Sequence, residues 1–181
     1  MPEALRSPSG EEVRRVLEER ARALARPLQS EEQEETVALV EMLLGSERYG
    51  VDIRKVRETH PLGSFSPVPG TPDFWAGIVN IRGILYPCLD LRRYLGLEED
   101  DGSSAAKRLV LVTGAGLTVG LIVDDAPAVQ RMPAREIGPP LPGGTETGRN
   151  ATSGVTRDLL AVLDVDAMLA DPRLAVREEP R

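Results

Sequence analysis

The chain has 181 residues, 41% of them hydrophobic, enough for one domain or two small ones with a real core. Its 29 acidic against 22 basic residues give a net charge of −7, which argues against sequence-blind nucleic-acid binding, because that needs a basic surface to displace counterions. A single cysteine and a single histidine exclude an internal disulfide and a closed zinc site.

The N-terminus, MPEALRSPSGEEVRR, lacks the apolar segment of a signal peptide, and no apolar run reaches the roughly 20 residues of a membrane span. The expectation is a cytoplasmic chain with no direct membrane insertion. Residues 9 to 28 predict a helix. Ser9 and Glu12 have the spacing of a capping box, Val13, Leu17, Ala21 and Leu24 fall near one face, and Pro27 ends it. The like-charge run QSEEQEE then reads as a linker, which makes residues 1 to 35 an N-terminal arm.

From Thr36 the pattern changes to short strands. TVALVEMLL is an apolar strand, GSE a turn, and RYGVDI with KVRET continues as alternating strand. HPLGSFSPVPGTP holds four prolines and two glycines and is expected to be an ordered loop. PDFWAGIVNIRG is expected to begin with a helical turn capped by Thr71 or Asp73. GILYPCLDL is a strand that Pro87 restricts to an edge or a bulge. RRYLGL reads as a short helix stopped by glycine, and EEDDGSSAA as an acidic loop. RLVLVTGAGLTVGLIVDD is a strong hairpin signal. MPAREIGPPLPGGTETGRNATSG reads as one long loop. GVTRDLLAVLDVDAMLADP reads as a strand and a short helix with Asp164 or Asp166 near its start. Many short strands with regular turn signals point to small antiparallel barrels.

No catalytic constellation emerges. His60 lies in a Pro-rich stretch without a nucleophile nearby, and Cys88 lies in an apolar strand, where cysteine behaves as a small hydrophobe. The carboxylate pairs Asp124–Asp125 and Asp164–Asp166 stand beside turns, where aspartate usually caps backbone. The GAG at 114 to 116 lacks both the lysine and the spacing of a phosphate loop. What remains is polar punctuation of an apolar pattern. Arg82 follows the strand IVN and Glu58 closes KVRE, and these two are expected to pair. The competing reading has Arg82 lying over apolar surface with its head in water.

YGVDIRKVRE (49 to 58), VPGTPDFWAGIVNIRGILYPCLDLRRYLGL (68 to 97), VGLIVDDAPAV (119 to 129), EIGPPLP (136 to 142) and LLAVLDVDAML (159 to 169) occur in that order. Together they resemble the CheW family of bacterial chemotaxis coupling proteins over about residues 36 to 170. The resemblance implies a mainly β fold of two SH3-like five-stranded barrels with short helices. The first barrel is expected at about 36–98 and the second at about 105–170, with a tail at 171–181. It implies no enzyme activity and no cofactor. It implies an adaptor that couples the cytoplasmic tip of chemoreceptors (methyl-accepting proteins) to the regulatory domain of a CheA-type histidine kinase, recruited to membrane-associated arrays. The readings beside it are a CheW-like module of another chemosensory pathway, and a single-partner competitor that lowers kinase coupling.

Position by position, the resemblance puts Ile53, Val56, Glu58, Gly77 and Arg82 in the receptor-facing region, with Arg82 in the family's Asn-x-Arg-Gly motif. Ile53 and Val56 are three apart in a strand-like stretch, so alternation makes at least one of them core. Exposed barrel edges are the expected kinase-facing surface, with Val119 and Leu121 as its candidates. Thr59 replaces a usual apolar residue, Met42 stands where an aromatic is common, and the arm exceeds the minimal family pattern.

Overall fold

Two antiparallel hairpins seed the two halves of the structure, a computed structural model that describes residues 35–98 and 106–175. β1 (Thr36–Leu44) pairs with β2 (Glu47–Asp52) from Leu44–Glu47 back to Leu39–Asp52. β7 (Arg108–Gly114) pairs with β8 (Leu117–Val123) from Gly114–Leu117 to Arg108–Val123. Both are hairpins the apolar alternation predicts. Between them run β3 (Val56–Pro61), the two-residue β4 (Phe65–Ser66), β5 (Trp75–Ile81), β6 (Ile84–Asp90) and the helix α1 (Leu91–Leu95), which stops at Gly96. After β8 come β9 (Val129–Pro133), the two-residue β10 (Ile137–Gly138), α2 (Glu146–Ala151), β11 (Thr152–Thr156), β12 (Ala161–Leu163) and α3 (Val165–Leu169).

The strands form two six-stranded sheets, ordered β10-β11-β12-β2-β1-β9 and β3-β7-β8-β6-β5-β4. Each has five principal strands and one two-residue strand, in line with two SH3-like units in a mainly β fold. The expected barrel boundaries need correction. Neither sheet is a contiguous half of the chain: the first takes β1 and β2 from the front and its other four strands from the back, while β7 and β8 complete the second. Two parallel pairings close this interleaving, β12 on β2 and β6 on β8. Parallel neighbours need a long crossover, so no local turn signal could announce them.

Three cores follow. Leu39, Leu160 and Val162 pack within the first sheet, and Val79, Tyr86, Cys88, Leu109, Leu111 and Ile122 within the second. The largest lies between the sheets and draws in the helices, with Met42, Val51, Leu91, Leu95, Val110, Leu121, Val165 and Met168 among its members. Strands β7 and β8 are therefore covered on both faces. Leu109 and Leu111 face one core, while Val110 and Val112 face the other.

Local expectations fail where tertiary context takes over. The helical turn expected near Thr71 is instead a turn in which the Trp75 amide donates to the Pro72 carbonyl (2.9 Å), while the Thr71 hydroxyl donates to the Val68 carbonyl. The long loop expected over 132–154 contains β10 and α2, the latter capped by the Thr145 hydroxyl, which accepts from the Gly148 amide (3.0 Å). Pro87 lies in a strand flanked on both sides, yet β6 meets β8 only at Cys88, Leu89 and Asp90. Pro87 thus falls before that pairing begins, where its missing N–H costs nothing. Of the two aspartates expected near the start of α3, Asp164 is the cap, accepting from the Ala167 amide (2.9 Å), while Asp166 lies in the first turn. The expected N-terminal helix, the linker up to residue 34, most of the acidic loop and the end of the tail lie outside the described residues.

Candidate partner-binding site

β5 and β6 are joined by a two-residue turn, Arg82–Gly83, with Ile81 opposite Ile84. Both turn residues have positive φ, 51° at Arg82 and 85° at Gly83. This is the sign pattern of the tight turn that matches strand twist, and it favours Asn-Gly. The Asn80 side chain stabilises it, its Oδ1 accepting from the Gly83 amide (2.8 Å). Arginine is a poor choice for the first position, since a left-handed residue with a Cβ costs about 1–2 kcal/mol. Strain at an exposed turn points to a use for the side chain.

That side chain is held in place. Arg82 Nη1 lies 3.2 Å from Glu58 Oε2, so the pairing expected from the sequence forms. The pair is not buried, however: the Arg82 side chain is 76% exposed and that of Glu58 is 29% exposed. The pair is therefore a surface corner, where the hairpin tip leans on β3. His60, two residues on along β3, places Nε2 2.9 Å from the same Glu58 oxygen, without the alignment of a hydrogen bond.

The other predicted residues divide. Ile53 opens a single 3-10 turn, Ile53–Lys55, and is exposed. This turn is the crossover from the first sheet to the second, so strand alternation does not apply across it. Asp52 caps it, accepting from the Arg54 amide (2.9 Å) and gripping the Arg54 guanidinium, which holds the Asp52 carboxyl below its ordinary range. Lys55 pairs with Asp166 of α3, whose other oxygen accepts from the Ala115 amide in the β7–β8 turn. Val56 is half-buried against the central core, so one residue of the Ile53/Val56 pair is indeed partly core.

Gly77 needs a correction: it is buried, and its φ is 142°. A Cβ there would lie 2.2 Å from the Ser66 carbonyl oxygen. Its role is to let β4 approach β5 rather than to touch a partner. Val119 and Leu121 need a larger one, being 2% and 0% exposed in the central core. As β8 is covered on both faces, neither can form a docking surface in the folded chain. The expectation was an exposed barrel edge, but β8 pairs with β7 on one side and β6 on the other, so it offers neither a free edge nor a free face.

Two further groups were missed. Ile78, Ile84 and Leu85 are exposed on the β5–β6 hairpin, at 36%, 55% and 65%. The register sets Asn80 opposite Leu85 and Ile78 opposite Pro87 on one face of the hairpin, while Ile84, opposite Ile81, is on the other, so apolar side chains flank Arg82 on both faces. The sequence carries a partial signal in the apolar residues Ile84 and Leu85 directly after the turn, where Arg82, Gly83, Ile84 and Leu85 are exposed in succession. The second group is Arg92, whose Nη2 meets Asp124 Oδ2 at 2.7 Å with both side chains buried. Asp124 Oδ2 also accepts from the Gly45 amide (2.6 Å), and Arg92 Nη1 donates to the Glu98 carbonyl (3.0 Å). Burial raises the Cys88 thiol to about 11, consistent with a packing role. No cluster of metal-ligating side chains occurs among the described residues.

The corner is thus suited to recognition: a presented guanidinium, a partner carboxylate and adjacent apolar side chains. The chain is 28% identical over 137 residues to the chemotaxis protein CheW of Klebsiella aerogenes, covering 74% of this chain and 81% of that protein. It is 35% identical over 101 residues to Protein FrzA of Myxococcus xanthus, covering 56% of this chain and 62% of the relative. The solved structure of the scaffolding protein TtCheW from Thermoanaerobacter tengcongensis matches with a TM-score of 0.68 at 28% identity, over 78% of this chain and 97% of that one. A family model for the CheW-like domain matches residues 38–173, from β1 to the turn after α3, and the chain belongs to that family.

Proposed function

We propose that the protein is a non-enzymatic adaptor that couples chemoreceptors to a CheA-type histidine kinase. The observation that carries this reading is the Arg82 corner in a CheW-like fold: a strained turn displays a guanidinium, Glu58 steadies it, and Ile84 and Leu85 stand exposed beside it. Such a surface suits a helical partner with a carboxylate near an apolar face. Receptor contact is assigned to Ile53, Glu58 and Arg82, with Val56 and Gly77 supporting from beneath. Kinase contact belongs to other exposed strand edges. Coupling then requires only that receptor state alter how well the adaptor and kinase fit, a differential-binding effect.

Titration calorimetry against a kinase regulatory domain and, separately, a receptor-tip fragment tests this. The adaptor reading expects both to bind, and Arg82→Ala to weaken the receptor fragment alone. Binding of one partner only would favour a competitor. Binding of neither would mean a fold kept without its function.

A further inference from the structure

Two basic side chains converge on one carboxylate oxygen. Arg82 Nη1 is 3.2 Å from Glu58 Oε2, and His60 Nε2 is 2.9 Å from that same atom. Nε2 has no solvent access and no aligned hydrogen-bond acceptor, while the His60 side chain as a whole is 27% exposed. A carboxylate at this distance favours a proton on Nε2, carried either by the neutral Nε2–H tautomer or by the imidazolium, and only the imidazolium adds a positive charge to the contact. His60 is the chain's one histidine.

We propose that His60 is a further residue of the receptor-facing corner and makes its grip on an acidic partner segment dependent on pH. This rests on the adaptor reading. With neutral His60, Glu58 and Arg82 balance and the corner carries no net charge. Protonation gives Glu58 a second cation and the corner one positive charge. The exposed Arg82 guanidinium is then less committed to Glu58 and freer to take a carboxylate from the partner. Among the described residues the charged neighbours are few. Arg57 lies at the irregularity in β3, and on the adjoining strand β7 Leu109 stands opposite His60. At the start of β7, Lys107 precedes Arg108, and Arg108 Nε lies 3.7 Å from Asp125. Among the described residues, Glu58 is thus the carboxylate in direct reach of the imidazole.

The test has two arms across about pH 5.5–8, where imidazole changes charge. In the first, affinity for a receptor-tip fragment is measured for the native chain, His60→Gln and His60→Arg. The native chain should bind about two- to five-fold more tightly at the acid end, the scale of a single exposed charge contact. His60→Gln should be flat at the weaker value and His60→Arg flat at the tighter one. A native profile without slope, or an equal slope in His60→Gln, would overturn the proposal. The second arm needs no partner. The Arg82 Nε–H resonance should shift with the His60 titration in the native chain, and stay still in His60→Gln and in Glu58→Gln. An Arg82 signal indifferent to His60 would equally overturn it. Coupling in this arm without any fragment binding would support the three-residue linkage and remove the adaptor reading.

Discussion

Arg92–Asp124 and Arg82–Glu58 are both arginine–carboxylate pairs, and their surroundings give them opposite roles. In the first, the side chains are 9% and 8% exposed and 2.7 Å apart; in the second, 76% and 29% exposed and 3.2 Å apart. The buried pair ties α1, the end of β8 and the β1–β2 turn together through the Gly45 amide and the Glu98 carbonyl. Its groups have no alternative partners once buried, so it belongs to the fold. The exposed pair lies at the solvent boundary and contributes little to stability, which leaves it available to a partner. The same chemistry serves the fold in one place and recognition in the other, and burial makes the difference.

The comparison can be broken most severely at the buried pair. Asp124→Ala leaves Arg92 charged and unpaired, and should lower the unfolding free energy by about 3–5 kcal/mol in a denaturant titration. Replacing both with apolar residues of similar volume should recover much of that loss. Next in size, Gly77→Ala should cost about 1–3 kcal/mol, because the new Cβ meets the Ser66 carbonyl in a backbone conformation that favours glycine. That variant would move the hairpin without touching its charge, and so separates the position of the corner from its chemistry.

Arg82→Ala should change stability by less than about 1 kcal/mol yet weaken receptor-fragment binding. Arg82→Asn, the residue suited to this turn position, should fold at least as stably as the native chain and bind no better than Arg82→Ala. Equal losses of melting temperature and binding in these variants would place Arg82 with the structural pair instead. The smallest effect is expected at Glu41, which accepts from Arg48 Nε (2.7 Å) and Gln130 Nε2 (2.6 Å). The Arg48 hydrogen bond holds its carboxyl below the ordinary value of 4.5. A carboxyl lowered in the folded state stabilises fully above its unfolded value, and that contribution fades as pH falls below 4.5 through the folded one. Glu41→Gln should therefore lower stability modestly across the neutral range, where the contribution is full, and leave the strongly acid end nearly as it was, so that the acid limb flattens.

Legibility in the sequence followed the range of the interaction. The β7–β8 hairpin, the glycine stop of α1, the Asp164 cap and the turn at Arg82–Gly83 are each specified within a few residues, by steric rules and by side chains that satisfy nearby amides. The Arg82–Glu58 pair was also foreseen, because a lone arginine at a strand end needs an anion. Arg92 and Asp124 gave no such signal. Each stands in a charged neighbourhood that reads as surface, and only the packing of α1 beneath the β1–β2 turn buries them.

By itself, then, the sequence determined a mainly β chain of short hairpins, its turn chemistry and the family motifs that mark the corner. Tertiary structure decided which strands share a sheet, which faces of β8 remain free, and which arginine is buried. Turns and caps are local free-energy choices made within a few residues. Sheet membership and burial depend on parallel pairings such as β12 on β2, made between segments far apart in the chain. Their stability comes from apolar surface covered only when both layers are in place.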